Sequence, residues 1–430
     1  MNKVQVINCA IGALFFLSLP NAAIAAESQN SSSYTEQPTK VPFGGPNSPQ
    51  GLLEDAERVK EPAFRFDSIY ESLDPWREWK KTLKDDHGFS FSGHYAAAVQ
   101  NIDAIAGDKT SGSSGVIRLN GSWELLGRGT KNSGSLVMTL DHRHLFNGVE
   151  PGSAGGIANE AGYIGITNTF FNDMKGAVIN LNWQQKLNDG NSGFIAGRYD
   201  PNDYMNILGY VNPWTTFTNL NVLLDTSIAL PDSSWGIGAG HWLNDQWYIL
   251  GGINDANGVG SDNLEFFDGG SEFFTYAHIG WSPSKGERYF SNVHFMIWDA
   301  DEREEAGIAA SDGFAFAANW TFDETWMPFI RLGKSDGAAP IYNKSATLGF
   351  IYKFHYRSDL AGFAVNWGEI PDELIGVATN QEQITSELFW RIQFARNLAF
   401  TPNIQYLQDP ALNPLDDSVL SLGLRARFTF

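Results

Sequence analysis

From Phe89 onward, apolar and polar residues alternate with a period of two, the spacing at which successive side chains of a β-strand point to opposite faces. Phe89, Phe91, Gly93, Tyr95, Ala97 and Val99 share one face, and Ser90, Ser92, His94, Ala96, Ala98 and Gln100 the other. The pattern returns at 117–125, 177–183, 293–297, 314–322, 346–354 and 384–394. The chain closes on Leu420, Leu422, Leu424, Ala426, Phe428 and Phe430, set against Ser421, Gly423, Arg425, Arg427 and Thr429. Two arginines on the buried face of a soluble sandwich would be costly, whereas a barrel with lipid outside and water inside carries no such cost. The pattern therefore predicts an all-β chain, a transmembrane antiparallel β-barrel.

The connections support the same architecture. Read backward from the C-terminus, they alternate between long (408–417, 369–383, 334–344, 300–312) and short (396–398, 356–359, 323–325). Outer-membrane barrels have this asymmetry, with short periplasmic turns and longer external loops. Direct counting gives about 18 strands. The stretch 188–233, with Arg198, Asp200, Tyr204 and Trp214, reads either as one or two strand pairs or as a loop folded into the lumen.

The N-terminal region has a different composition. Lys3 precedes an apolar run from Ile7 to Leu19, then Pro20 and Ala23-Ile24-Ala25, which predicts a cleaved signal peptide over 1–25. Cys9, the single cysteine, falls inside it, so the exported chain has neither a disulfide framework nor a thiolate site. Residues 26–73 begin rich in Ser, Gln, Asn, Pro and Gly and are expected to form a flexible linker with a possible short helix around Leu52, Leu53, Ala56 and Val59. Trp76, Trp79 and Leu83 mark a short helical segment that opens a barrel domain spanning 74–430.

Acidic residues outnumber basic ones, 49 to 29, which argues against nucleic acid as a partner. Signs of catalysis are weak. Asp141-His142-Arg143-His144 places its two imidazoles on one strand face and Asp141 and Arg143 on the other, with no third metal ligand signalled, so structural or girdle roles are expected for the histidines. Gly236, Gly238 and Gly240 form a stripe with no following helix, as close strand packing requires. The acidic run Asp299, Asp301, Glu302, Glu304 and Glu305 lacks calcium-loop spacing and reads as a solvated external loop. No catalytic residue, metal or cofactor is expected.

The C-terminal region resembles a known family. Glu387-Leu388-Phe389-Trp390-Arg391-Ile392-Gln393, Thr401-Pro402-Asn403-Ile404-Gln405-Tyr406, Asp409-Pro410 and Gly423-Leu424-Arg425-Ala426-Arg427-Phe428 are similar to the carbohydrate-selective porins of the OprB type. Weaker similarity lies at 76–88 and at Gly197-Arg198-Tyr199-Asp200-Pro201, although Trp76 is followed by Arg77 and Glu78 instead of the family's Gly-Gly. The resemblance implies a barrel of 16 strands, bringing the expected range to 16–18, and passive diffusion of small sugars such as glucose across the outer membrane of a Gram-negative bacterium. Implied partners are sugars as permeants, outer-membrane lipid and lipopolysaccharide, and the barrel assembly machinery, reached through the strand ending in Phe430. The alternatives are a general or ion-selective porin, an outer-membrane barrel enzyme or a structural anchor. Monomer and homotrimer remain open. A sugar-selective constriction needs fixed donors and acceptors, and the strand register places Arg118, Glu124, Asp141, Arg143, Arg198, Arg331, Lys353, Glu387 and Arg391 inward as pore-lining candidates, with Trp390 and Ile392 outward.

Overall fold

The computed structural model describes residues 43–430 apart from 230, 262–270 and 375–376; the expected signal peptide and the first part of the expected linker lie outside these residues. Sixteen strands follow one another: β1 (Phe89–Ile102), β2 (Ser111–Leu126), β3 (Gly134–Gly148), β4 (Lys175–Leu187), β5 (Ser192–Tyr199), β6 (Ser234–Trp242), β7 (Trp247–Asp255), β8 (Phe273–Trp281), β9 (Ser291–Ala300), β10 (Ser311–Trp320), β11 (Trp326–Asp336), β12 (Lys344–Lys353), β13 (Leu360–Glu369), β14 (Glu382–Ala395), β15 (Leu398–Gln408) and β16 (Ser418–Thr429). Each pairs antiparallel with its chain neighbours, and β1 pairs with β16 from His94↔Thr429 to Ile102↔Ser421, so the sheet closes without a free edge. Among the described residues, the stretch 188–233 contains one strand, β5, preceded by the turn 188–191 and followed by the connection 200–233, which includes one helical turn at Leu220–Leu223.

The period-two pattern sorts the side chains as lipid outside and polar contents inside require. On β16, Leu420, Leu422, Leu424 and Phe428 are exposed, while Ser421, Arg425, Arg427 and Thr429 are buried. The outer face near the short turns carries an aromatic band: Trp281 stacks on Trp320 at 6.0 Å and Trp390 on Phe354 at 6.5 Å, and Trp326 packs at a tilt against Tyr352 at 4.7 Å. The two longest connections, 149–174 and 200–233, lie at the opposite end.

Three helices precede the barrel. Ser48 caps α1 (Pro49–Glu57) by accepting from the Gly51 N–H, and Pro49 supplies the preset φ of a first helical residue. The expectation of a flexible linker fails from residue 43 onward, because Leu52 is buried with Ala96, Ala98, Val116, Phe171 and Trp214, on the inner side of β1 and β2. A linker-like composition conceals this, because its polar side chains find partners inside the barrel: Asn47 on Asp203 and Trp214 of the connection 200–233, and Gln50 on Gln184 of β4. A short helix, α2 (Asp67–Ser72), leads to α3 (Asp74–His87), which ends at Gly88 in the left-handed region, φ 71°, a conformation that favours glycine. Trp76 and Trp79 pack edge-on against Phe91, on the outer face of β1, at 5.6 and 5.7 Å.

Candidate functional site

The interior is furnished from two sources. Loops 149–174 and 200–233 fold inward from the long-loop end, and residues 43–60 lie within from the other. Tyr163 of the first loop reaches Thr385 on β14 at 2.7 Å, and Thr167 donates to Gln100 on β1 at 3.1 Å. Asn219 of the second loop donates to Gln405 on β15 at 2.9 Å. The inner wall therefore faces polypeptide over much of its area.

Three of the sequence candidates form one cluster. Arg118 and Asp141 are register partners on β2 and β3, and the guanidinium meets the carboxylate through two bonds of 2.7 Å. Arg143 donates to the same carboxylate from Nε at 3.0 Å and Nη2 at 2.8 Å. Two cations share one anion, and aromatic faces cover the excess charge: Arg118 and Arg143 sit 4.9 and 4.8 Å from Phe170, and Arg118 lies 4.6 Å from Trp214. Phe170 and Trp214 stack on each other at 4.9 Å. Neither ring belongs to a strand, so the alternation that found the arginines could not find them.

The other candidates divide by what they hold. The Glu387 carboxylate accepts from Thr218 N at 2.8 Å, Asn219 N at 2.9 Å, Thr218 Oγ1 at 2.9 Å and Asn403 Nδ2 at 3.2 Å, pinning the second loop to β14. Arg331 donates to the carbonyls of Val222 and Asn206 at 3.0 and 3.4 Å, and Arg198 to those of Val178 and Val259, both at 2.7 Å. Arg391 donates to Gln393 at 2.6 Å. Glu124 and Lys353 lie toward the short-turn end and are half-buried, with the Lys353 ammonium 6.0 Å from the Tyr210 ring. Arg425 and Arg427, inward by the same alternation, belong with this group: Arg425 donates to Thr216 O at 2.9 Å and to Pro213 O, and Arg427 to Asp55 at 3.0 Å.

Cavities lie at both ends of the interior among the described residues. One of about 290 Å³ at the long-loop end is bordered by Arg143, Phe170, Asn172, Asp200, Asp225 and Arg331. The other, about 430 Å³ at the short-turn end, is bordered by Gln50, Glu54, Glu57, Lys84, Glu124 and Gln184. His142 and His144 stack at 5.6 Å on the outer face, and His144 meets the Tyr95 hydroxyl at 3.2 Å. Among the described residues, no group of three or more His, Cys, Asp or Glu side chains is placed to hold a metal.

Residues 309–430 match the family model described as carbohydrate-selective porin, OprB family. By sequence, the likeness to that family is carried by this segment. No curated protein matches the chain. Among solved structures, the barrel is similar to Pseudomonas putida OprB in its high-pH structure, with a TM-score of 0.64 at 17% identity over 83% of this chain and 97% of that one. The low-pH structure of the same porin gives 0.50 at 13% identity over 83% and 96%. A mutant of Rh. blastica porin gives 0.50 at 13% identity over 80% and 100%. These likenesses establish a porin fold. The segment that matches the model carries Arg331, Lys353, Glu387, Arg391, Arg425 and Arg427, whereas the Arg118–Asp141–Arg143 cluster lies outside it.

Proposed function

We propose that the protein is an outer-membrane porin for passive, carbohydrate-selective diffusion of small sugars, with the Arg118–Asp141–Arg143 cluster and the cavity beside it as the selective passage. The observation that carries this reading is the pairing of planar, fixed hydrogen-bonding groups with aromatic rings at one level of the barrel. A neutral, hydroxyl-rich permeant loses hydration on entering a narrow site, and ionised groups replace those bonds while a ring receives the apolar face of a pyranose. At about 290 Å³ the cavity is at the lower end of the roughly 300–1,000 Å³ typical of small-molecule sites, which favours monosaccharides over longer chains. The exposed apolar belt and the aromatic band at its short-turn end match a barrel in lipid, with Trp76 and Trp79 extending the band onto α3.

Purified protein in planar bilayers gives stable channels whose ion current falls on addition of glucose, and proteoliposomes containing it swell in glucose faster than in a disaccharide. Arg143→Ala leaves Arg118 and Asp141 as a neutral pair, lowers preference for anions and alters the sugar block. A silent bilayer would sink the porin reading, and channels indifferent to every sugar would reassign the protein as a general porin.

Phe430 takes part in barrel closure. Its N–H donates to Gly93 O at 2.9 Å and its carbonyl accepts from Gly93 N at 3.0 Å. Deleting Phe430 removes both bonds along with the proposed assembly signal, and the heat-modifiable folded band on gels falls sharply; a wild-type yield of that band would refute this role.

A further inference from the structure

Residues 43–60 separate the two cavities. Phe43, Gln50 and Leu53 border the short-turn cavity, and Pro46 and Asn47 border the long-loop one. The segment is gripped on several sides by side chains. Asn47 donates to Asp203 at 2.7 Å and accepts from Trp214 Nε1 at 2.8 Å, and Asn212 donates to Pro46 O at 2.8 Å. Gln50 donates to Gln184 at 2.7 Å, and Tyr289 donates to Gly44 O. Asp55 bridges Lys60 at 3.2 Å and Arg427 at 3.0 Å. Burial would raise the Asp55 carboxyl, but Lys60, Arg427, Arg391 and Arg58 together hold it well below the usual carboxylate range, so the latch is charged at neutral pH.

We propose that residues 43–60 are a movable plug that closes the path between the two cavities and withdraws through the short-turn mouth when a permeant crosses. Three features favour movement over permanent packing. The plug adds no strand to the barrel, and its helix satisfies most of its own backbone, so it leaves as a unit without unpairing the sheet. Its seat is incompletely satisfied: Gln50 Oε1, His94 Nε2 and Arg427 Nε are buried without a hydrogen-bond partner, and water entering on withdrawal would solvate them. Its C-terminal tether is also fixed independently of the helix. Beyond Lys60 the chain is already at the short-turn rim, where Ala63 and Phe64 bond to the carbonyls of Gln393 and Phe394, so the tether stays in place while the helix swings.

The glycine stripe of β6 fits the same reading. A Cβ on Gly240 would lie 2.6 Å from ring atoms of Phe43, so β6 is hollowed where the plug's first ring rests.

The inference concerns regulation of the passage proposed above and rests on that reading; its test separates the two. The full chain carrying Gln50→Cys and Gln184→Cys, with the single native cysteine in the expected signal peptide, is bridged with a reducible bis-methanethiosulfonate and recorded in planar bilayers. Bridging is expected to lower ion conductance and glucose flux at least tenfold, with recovery on reduction. Gly240→Leu, which evicts Phe43, is expected to raise conductance without reduction. Bridged channels that conduct as well as reduced ones would overturn the proposal, as would unchanged conductance in folded Gly240→Leu. Channels that respond to the bridge but ignore glucose would support the plug and reject the sugar reading.

Discussion

Leu388→Arg destabilises the barrel in a bilayer by about 2–4 kcal/mol, while Trp390→Arg on the same strand costs about 0–1 kcal/mol, because the penalty for a charge facing lipid falls from mid-membrane to the interface. Leu388 is outward at the middle of β14, beside Phe363 and Ile404 of the neighbouring strands, and is half exposed to the surroundings. Trp390 sits one pleat nearer the short turn, stacked on Phe354 in the aromatic band, where the new guanidinium reaches headgroups. Sequence alone left Trp390 with no depth; its ring partner supplies one. Urea titration of both variants refolded into vesicles measures the difference, and equal costs would displace the membrane boundary drawn here.

Glu387→Ala produces the second large effect. It leaves the backbone N–H groups of Thr218 and Asn219 without their acceptor in a buried site, at roughly 1–3 kcal/mol for each orphaned donor. The strand itself keeps its pairing, so the loss falls on loop 200–233, which detaches and admits water. The expected result is a folded barrel with a larger conductance, faster passage of disaccharides and new protease cuts within 200–229. A variant with wild-type conductance and an uncut loop would show that Glu387 does not anchor the loop.

These two residues also show what the sequence could and could not reveal. The outward set Leu388, Trp390 and Ile392 and the inward set Glu387 and Arg391 follow from the alternation, because lipid and water impose opposite polarities on the two faces of every strand. Loop lengths were legible for a related reason, since turn-forming residues interrupt that alternation. What fills the barrel was not legible. Thr215, Thr216, Thr218, Asn219 and Asn221 are buried against polar wall residues, and polar surface packed on polar surface has the same composition as a solvated loop. Residues 43–48 read as linker for the same reason. Thus Arg331, Glu387 and Arg425, expected to face a permeant or water, hold backbone of the inserted loop, while the cluster at Arg118 brings three expected residues together with aromatic neighbours.

The ion pair between Asp55 and Arg427 joins an early part of the chain to its last strand. Arg427 stands at the closing seam, opposite Ala96 of β1 and Ala399 of β15. The N-terminal segment is thereby tied to the seam that completes the barrel.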